Sequence, residues 1–193
     1  MKPSLAIPGL LLLVGGLLLV RGARDATPAE QGTDWSRELF GPFAPLAHDV
    51  AWIRFQRARL AGEEERALEL ASLALELEPS STDGWAMLAQ HLSVFLGSPE
   101  RTPDLEARRA WFEAGLETAL RGEVQAERPE ELALWRGLRL VFRSELDPAV
   151  DPNGARGLLD RAIDAFDRAQ ELGHPLGAEL ATQARALRAE AVE

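Results

Sequence analysis

The chain has 193 residues, enough for one domain with a core of its own and short for two. Leu (33) and Ala (31) supply a third of the residues while Val and Ile together number 11 and Tyr is absent, so material for a large sheet is lacking and an all-α fold is expected. A net charge of −10 with no basic run argues against nucleic acid as a partner, and the absence of Cys excludes disulfides, thiol nucleophiles and thiolate metal sites.

The N-terminus is read first as a membrane segment. After Lys2, residues 5–20 carry no charge and are dominated by Leu. As a helix they would cover about 24 Å, a little under a ~30 Å hydrocarbon core. That length suits a signal anchor or the apolar part of a cleavable signal peptide. Arg21-Gly22-Ala23-Arg24 offers no small-x-small cleavage motif, so an uncleaved anchor over 1–23 is the favoured reading. Lys2 and the terminal amine oppose Arg21 and Arg24 in setting orientation. The signal-like position leads us to expect a single-pass inner-membrane protein whose helical body lies on the extracytoplasmic side. Residues 24–45 read as a tether, rich in Pro, Gly and polar residues. Trp35, Leu39, Phe40 and Phe43 are too apolar for a pure linker and are expected against the first helix of the body or at the membrane interface.

From residue 46 onward the pattern is helical. The spacing predicts a first helix over 46–61, carrying Leu46, Val50, Ile53, Ala58 and Leu60 and broken by Gly62. Glu63, Glu64 and Glu65 open a second helix, where acids suit the positive end of the dipole, and Pro79 closes it. Ser80 to Asp83 supply capping residues for a third helix with Trp85, Leu88, Ala89 and Leu92 on one face. A loop at 97–103 precedes a fourth helix containing Trp111, Phe112 and Leu116. Gly122 to Pro129 separates that helix from a fifth, containing Leu132, Trp135 and Leu138. Residues 147–154 read as a loop. A sixth helix carries Leu158, Ala162, Phe166 and Ala169, and a seventh spans roughly 176–191.

Several of these residues fall in a recurring pattern. Gly62, Ala67, Ala74 and Pro79 are followed, in a register of 34 residues, by Trp85, Leu88, Ala89 and Leu92; Ala162, Phe166 and Ala169 repeat the small-aromatic-small pattern of a second helix. In these positions the chain resembles the tetratricopeptide-repeat (TPR) family. Phe55 stands where a small residue is usual and Ala71 where a bulky one is usual, and extra residues at 97–104 and 147–154 interrupt the period. The resemblance covers 46–193 and implies antiparallel helical hairpins stacked as a short α-solenoid, with a C-terminal capping helix. The layout also resembles bacterial proteins that carry one N-terminal membrane segment and a small TPR-like domain, which implies a bacterial inner membrane.

Motifs of catalysis are missing. His48, His91 and His174 lie far apart and H-E-x-x-H is absent, so no metal or other cofactor is expected. His91 reads as a solvated or capped residue beside the third helix, or as a groove-facing one; His174 reads as a helix-end residue. There is no G-x-S-x-G, P-loop or dinucleotide fingerprint, and enzymatic activity is not expected. The resemblance instead implies a concave groove lined by the first helix of each hairpin. Its candidates are Asp49, Trp52, Gln56 and Arg59, then Ala86, Gln90 and Ser93, then Arg136, Arg139 and Arg143. The three arginines would clamp an acidic or C-terminal carboxylate of a peptide; the alternative is that they pair with neighbouring acids. The expected role is a non-enzymatic, membrane-anchored module for binding a protein or peptide, or else a permanent subunit of an envelope complex.

Overall fold

A computed structural model describes residues 39–191 of the chain. The expected anchor over 5–20 and all of the tether before Leu39 lie outside the described residues. Among those described, no helix is long and apolar enough to cross a membrane.

Seven α-helices follow one another: α1 (Ala44–Ala61), α2 (Glu64–Leu77), α3 (Thr82–Gln90), α4 (Leu105–Gln125), α5 (Pro129–Leu146), α6 (Gly154–Glu171) and α7 (Gly177–Glu190). A 3-10 turn, Gly41–Phe43, leads into α1, and α3 continues as a wider π-helical segment, His91–Leu96. No strand occurs among the described residues. Consecutive helices pack against one another, most closely α1 with α2, α5 with α6 and α6 with α7; α3 packs on α4, α2 also meets α3, and α5 meets both α3 and α4.

Local chemistry sets the boundaries. Gly62 ends α1 in the left-handed region (φ 75°), which only glycine enters without strain. Ser81 caps α3, its hydroxyl accepting the Gly84 amide at 3.1 Å, and Asp104 caps α4 by accepting from Ala107 at 2.8 Å. Helix α4 runs on through Gly122, where the sequence suggested a break. Gly122 lies so close to the Trp85 ring that a Cβ would come within 2.7 Å of it, so the glycine serves packing rather than a turn. The segment expected to be a plain loop, 147–154, contains the 3-10 turn Pro148–Val150, and Val150 is 1% exposed.

Two clusters make the core. One joins α1, α2 and α3 through Phe55, Ala71, Leu75, Trp85 and Leu88 and takes in Leu132 of α5. The other joins α4 to α7 through Phe112, Leu116, Leu140, Phe166 and Ala181. Helix α4 serves both, Trp111 and Ala114 packing on the first cluster and Phe112 and Leu116 belonging to the second. Fully buried alanines at 67, 71, 74, 89, 162, 165 and 169 permit close helix approach. Phe55, Phe112 and Phe166 fill the spaces between, each contributing about 2–3 kcal/mol by burial.

Helix α1 corrects the reading of its pattern. Its buried residues are Ala44, His48, Ala51, Phe55 and Ala58, whereas Leu46, Val50, Ile53 and Leu60, expected to carry its core, are exposed. The helix has two apolar faces, and the narrower one, made of alanines around one phenylalanine, fits the close packing that α2 demands. Phe43 and Leu39 are also exposed.

Candidate functional site

The predicted groove residues divide into those that line a surface and those used inside the fold. On α1, Asp49 is exposed. Trp52 is half-buried, set edge-on to Phe55 with ring centroids 5.2 Å apart and close beneath Gly84 of α3. The Gln56 amide donates to the Met87 sulfur at 3.3 Å, and the Arg59 guanidinium lies 5.7 Å from the centre of the Phe95 ring. These three contacts bring α1 alongside α3 and its π-helical extension. Ala86 is half-buried and Gln90 exposed on α3.

Ser93 and Arg143 do not belong to a groove. Ser93 is fully buried, its hydroxyl donating to the Ala89 carbonyl at 2.7 Å, and it packs directly against Gly115 of α4. Arg143 is also buried. It donates to the carbonyls of Ser93 at 2.5 Å and Gly97 at 3.1 Å, lies over the Phe112 ring and pairs with Asp147 at 3.5 Å. Asp147 in turn accepts from Arg108 at 3.0 Å. Burial lowers the Arg143 pKa, with Asp147 opposing that shift and Arg108 adding to it. This network closes the end of the π-helical segment, whose wider winding bonds the Gly97 amide to the Leu92 carbonyl at 2.9 Å and leaves neighbouring carbonyls for a side chain to satisfy.

The positive stripe on α5 is therefore not built as expected. Arg136 pairs with Glu123 of α4 at 3.0 Å with both side chains largely buried. Arg139 lies over the ring of its neighbour Trp135, 5.1 Å from the centroid, and partial burial lowers its pKa. Arg136 and Arg143 are thus paired with acids of the chain, as in the alternative above, and Arg139 is spent on an aromatic ring.

What the α3–α5 side does present is a shallow, open depression of about 230 Å³. Ala86, Leu132, Leu134, Trp135 and Leu138 line it with apolar atoms, and Thr82, Asp83, Arg128 and Glu131 form its polar rim. Arg128 stands between the two acids, 3.6 Å from Asp83 and 3.5 Å from Glu131. From Leu138 the apolar surface continues along α5 to Phe142 and Leu146, which are 48% and 64% exposed. The sequence reading placed Ala86 in the groove and Leu132, Trp135 and Leu138 on the fifth helix, but named no rim residue as a groove candidate; the four-residue spacing of Leu138, Phe142 and Leu146 was available as a signal of the exposed apolar strip.

A second polar cluster surrounds His91, which is buried rather than solvated, its side chain 1% exposed. Its ring is stacked on Phe95 and edge-on to Phe55, both at 5.2 Å. Nε2 lies 3.2 Å from the Glu64 carboxylate, which also holds Arg101 at 2.9 Å. Neither ring nitrogen has a well-directed hydrogen bond among the described residues. Burial lowers the His91 pKa, the Glu64 charge opposing and the nearby Arg59 and Arg101 reinforcing the shift. His48 is buried too, with Nδ1 3.0 Å from the Ala74 carbonyl and Nε2 3.4 Å from Glu78. His174 behaves as a helix-end residue: its Nδ1 accepts from the Leu176 amide at 3.1 Å. Among the described residues, no three acidic or histidine side chains are placed to hold a metal ion.

No protein family, curated protein or solved structure matches the chain.

Proposed function

We propose that the chain is a non-enzymatic, TPR-like interaction module held at a bacterial inner membrane by residues 1–23, with its helical body outside the cytoplasm, and that it binds a segment of another protein between α3 and α5. The observation that carries this reading is the open depression lined by Ala86, Leu132, Trp135 and Leu138, with the exposed Phe142 and Leu146 following it on α5. A shallow apolar trough with a mixed-charge rim suits an apolar side chain of a bound peptide, while its openness offers no enclosure for chemistry on a small substrate. The successive helix pairs, with buried alanines at their contacts and an aromatic residue between them, support the TPR-like description. Anchoring would raise the effective concentration of a partner in the same membrane, so modest contacts suffice.

The test is in-cell photocrosslinking from position 138 in the full-length chain, beside a chain lacking residues 1–23. One protein captured stoichiometrically from position 138, and lost in a Trp135→Ala or Phe142→Glu chain that still folds, supports the module. No capture from position 138 in either chain, or capture that Trp135→Ala and Phe142→Glu leave unchanged, rejects it. A permanent structural subunit is the second reading, favoured by the exposed outer face of α1.

A further inference from the structure

The outer face of α1 has an internal order that scattered surface leucines lack. Phe43, Leu46, Val50, Ile53 and Leu60 follow one another at alternating three- and four-residue steps, with Arg57 completing the series. Each is exposed, from 40% for Val50 to 82% for Leu60. This is a heptad seam with a period of 3.5, the spacing that keeps one helix in register with another of the same repeat. It lies opposite the Ala51, Phe55 and Ala58 face that packs on α2, so the helix carrying it is already held rigid.

We propose that α1 pairs through this seam with α1 of a second copy of the chain, parallel and in register, making a four-helix layer in which the two α2 helices lie outermost. Charge identifies the occupant. Asp49 and Arg54 flank the seam, are exposed, and stand five residues apart. That is the separation at which flanking residues of two parallel, in-register helices meet, so each Asp49 would face the other copy's Arg54, twice by symmetry. In an antiparallel pair, residues of the same flank meet: Arg54 would find Ala47, Ala61 or another Arg54, and Asp49 would find Gln56, Glu63 or another Asp49, with no opposite charge on either side. Arg57 is the only polar residue in the seam. A single long basic side chain there fixes register at some cost in stability while its head reaches out to water.

The absence of native cysteine makes the test direct. Single cysteines are placed at Leu46, Val50 and Ile53, and at Gln183 on the exposed side of α7 as a control, in the full-length chain in its membrane. Under mild oxidation the three seam positions are expected to give same-residue disulfide dimers while Gln183→Cys remains monomeric. Asp49→Arg and Arg54→Asp are each expected to weaken the dimer about five- to tenfold, and the double variant to restore it, because each exposed pair is worth at most about 1 kcal/mol and two pairs are lost together. No disulfide at the seam in chains that keep wild-type helix content overturns the proposal. So does a photoreactive residue at position 50 that crosslinks to a different protein, to residues 1–38 of the same chain or to lipid and not to a second copy. Seam pairing stays intact in a Phe142→Glu chain if the two surfaces are separate, so failure here and failure of the α3–α5 site are told apart.

Discussion

Helices α1 and α6 are each 18 residues long and solve opposite problems. Helix α6 lies between α5 and α7, and Leu158, Leu159, Ala162, Ala165, Phe166 and Ala169 are all buried among its neighbours. Helix α1 is the first helix of the body, buries its alanine face on α2, and leaves its largest aliphatic side chains in water. Apolar residues therefore mean stability in one helix and an unfinished surface in the other. Amphipathic order separates them: one apolar face is consumed within the chain, two faces leave one over.

The comparison breaks most sharply at Phe166. Phe166→Ala removes a ring that lies directly against Gly137, with no room between them for a side chain at 137. A loss of about 3–5 kcal/mol is expected in urea or thermal unfolding. Next comes Arg143→Met, which strands the carbonyls of Ser93 and Gly97 and leaves Asp147 with Arg108 alone. It should cost about 3 kcal/mol, and hydrogen exchange should quicken first in 91–97.

His91 gives a smaller effect with a defined sign. Its folded pKa is lowered, so below about pH 6.5 the unfolded chain takes up a proton that the folded chain resists. Stability should therefore fall as pH drops from about 7 towards the lowered folded value and level off below it. His91→Leu should flatten that limb, and unfolding midpoints across this range measure it. If stability instead rises on acidification, Glu64 outweighs burial. The smallest effect belongs to α1: Leu60→Ser, measured on dilute, monomeric chain, should change stability by no more than about 0.5 kcal/mol. A loss comparable with that of Phe166→Ala would erase the contrast between the helices.

Much of the fold is legible in the sequence because local rules agree. Gly62, Ser81 and Pro79 mark boundaries by their own conformational limits, and the alanine positions of α2 and α6 follow a clean helical period. The site is less legible, for identifiable reasons. The π-helical segment inserts one wider turn after Gln90, so a wheel drawn at 3.6 residues places Ser93 outside when it lies inside. Arg143 looks like a surface arginine until its partners, 46 and 50 residues earlier, are known. His91 is hidden for the same reason, since Phe55 of α1 and Glu64 of α2 reach it from far back in the chain. On α1 the pattern was visible, but a sequence shows that a helix has two apolar faces without saying which one the chain keeps for itself.

Helix α4 lends residues to both core clusters, and the Arg108–Asp147–Arg143 chain ties its beginning to the end of α5 and to the carbonyls beyond α3. Inheritance works differently in such a molecule than in a beaded array. The α3–α4 pair cannot be deleted or traded as a cassette, because excising it opens both cores at once. The described body should melt in a single transition.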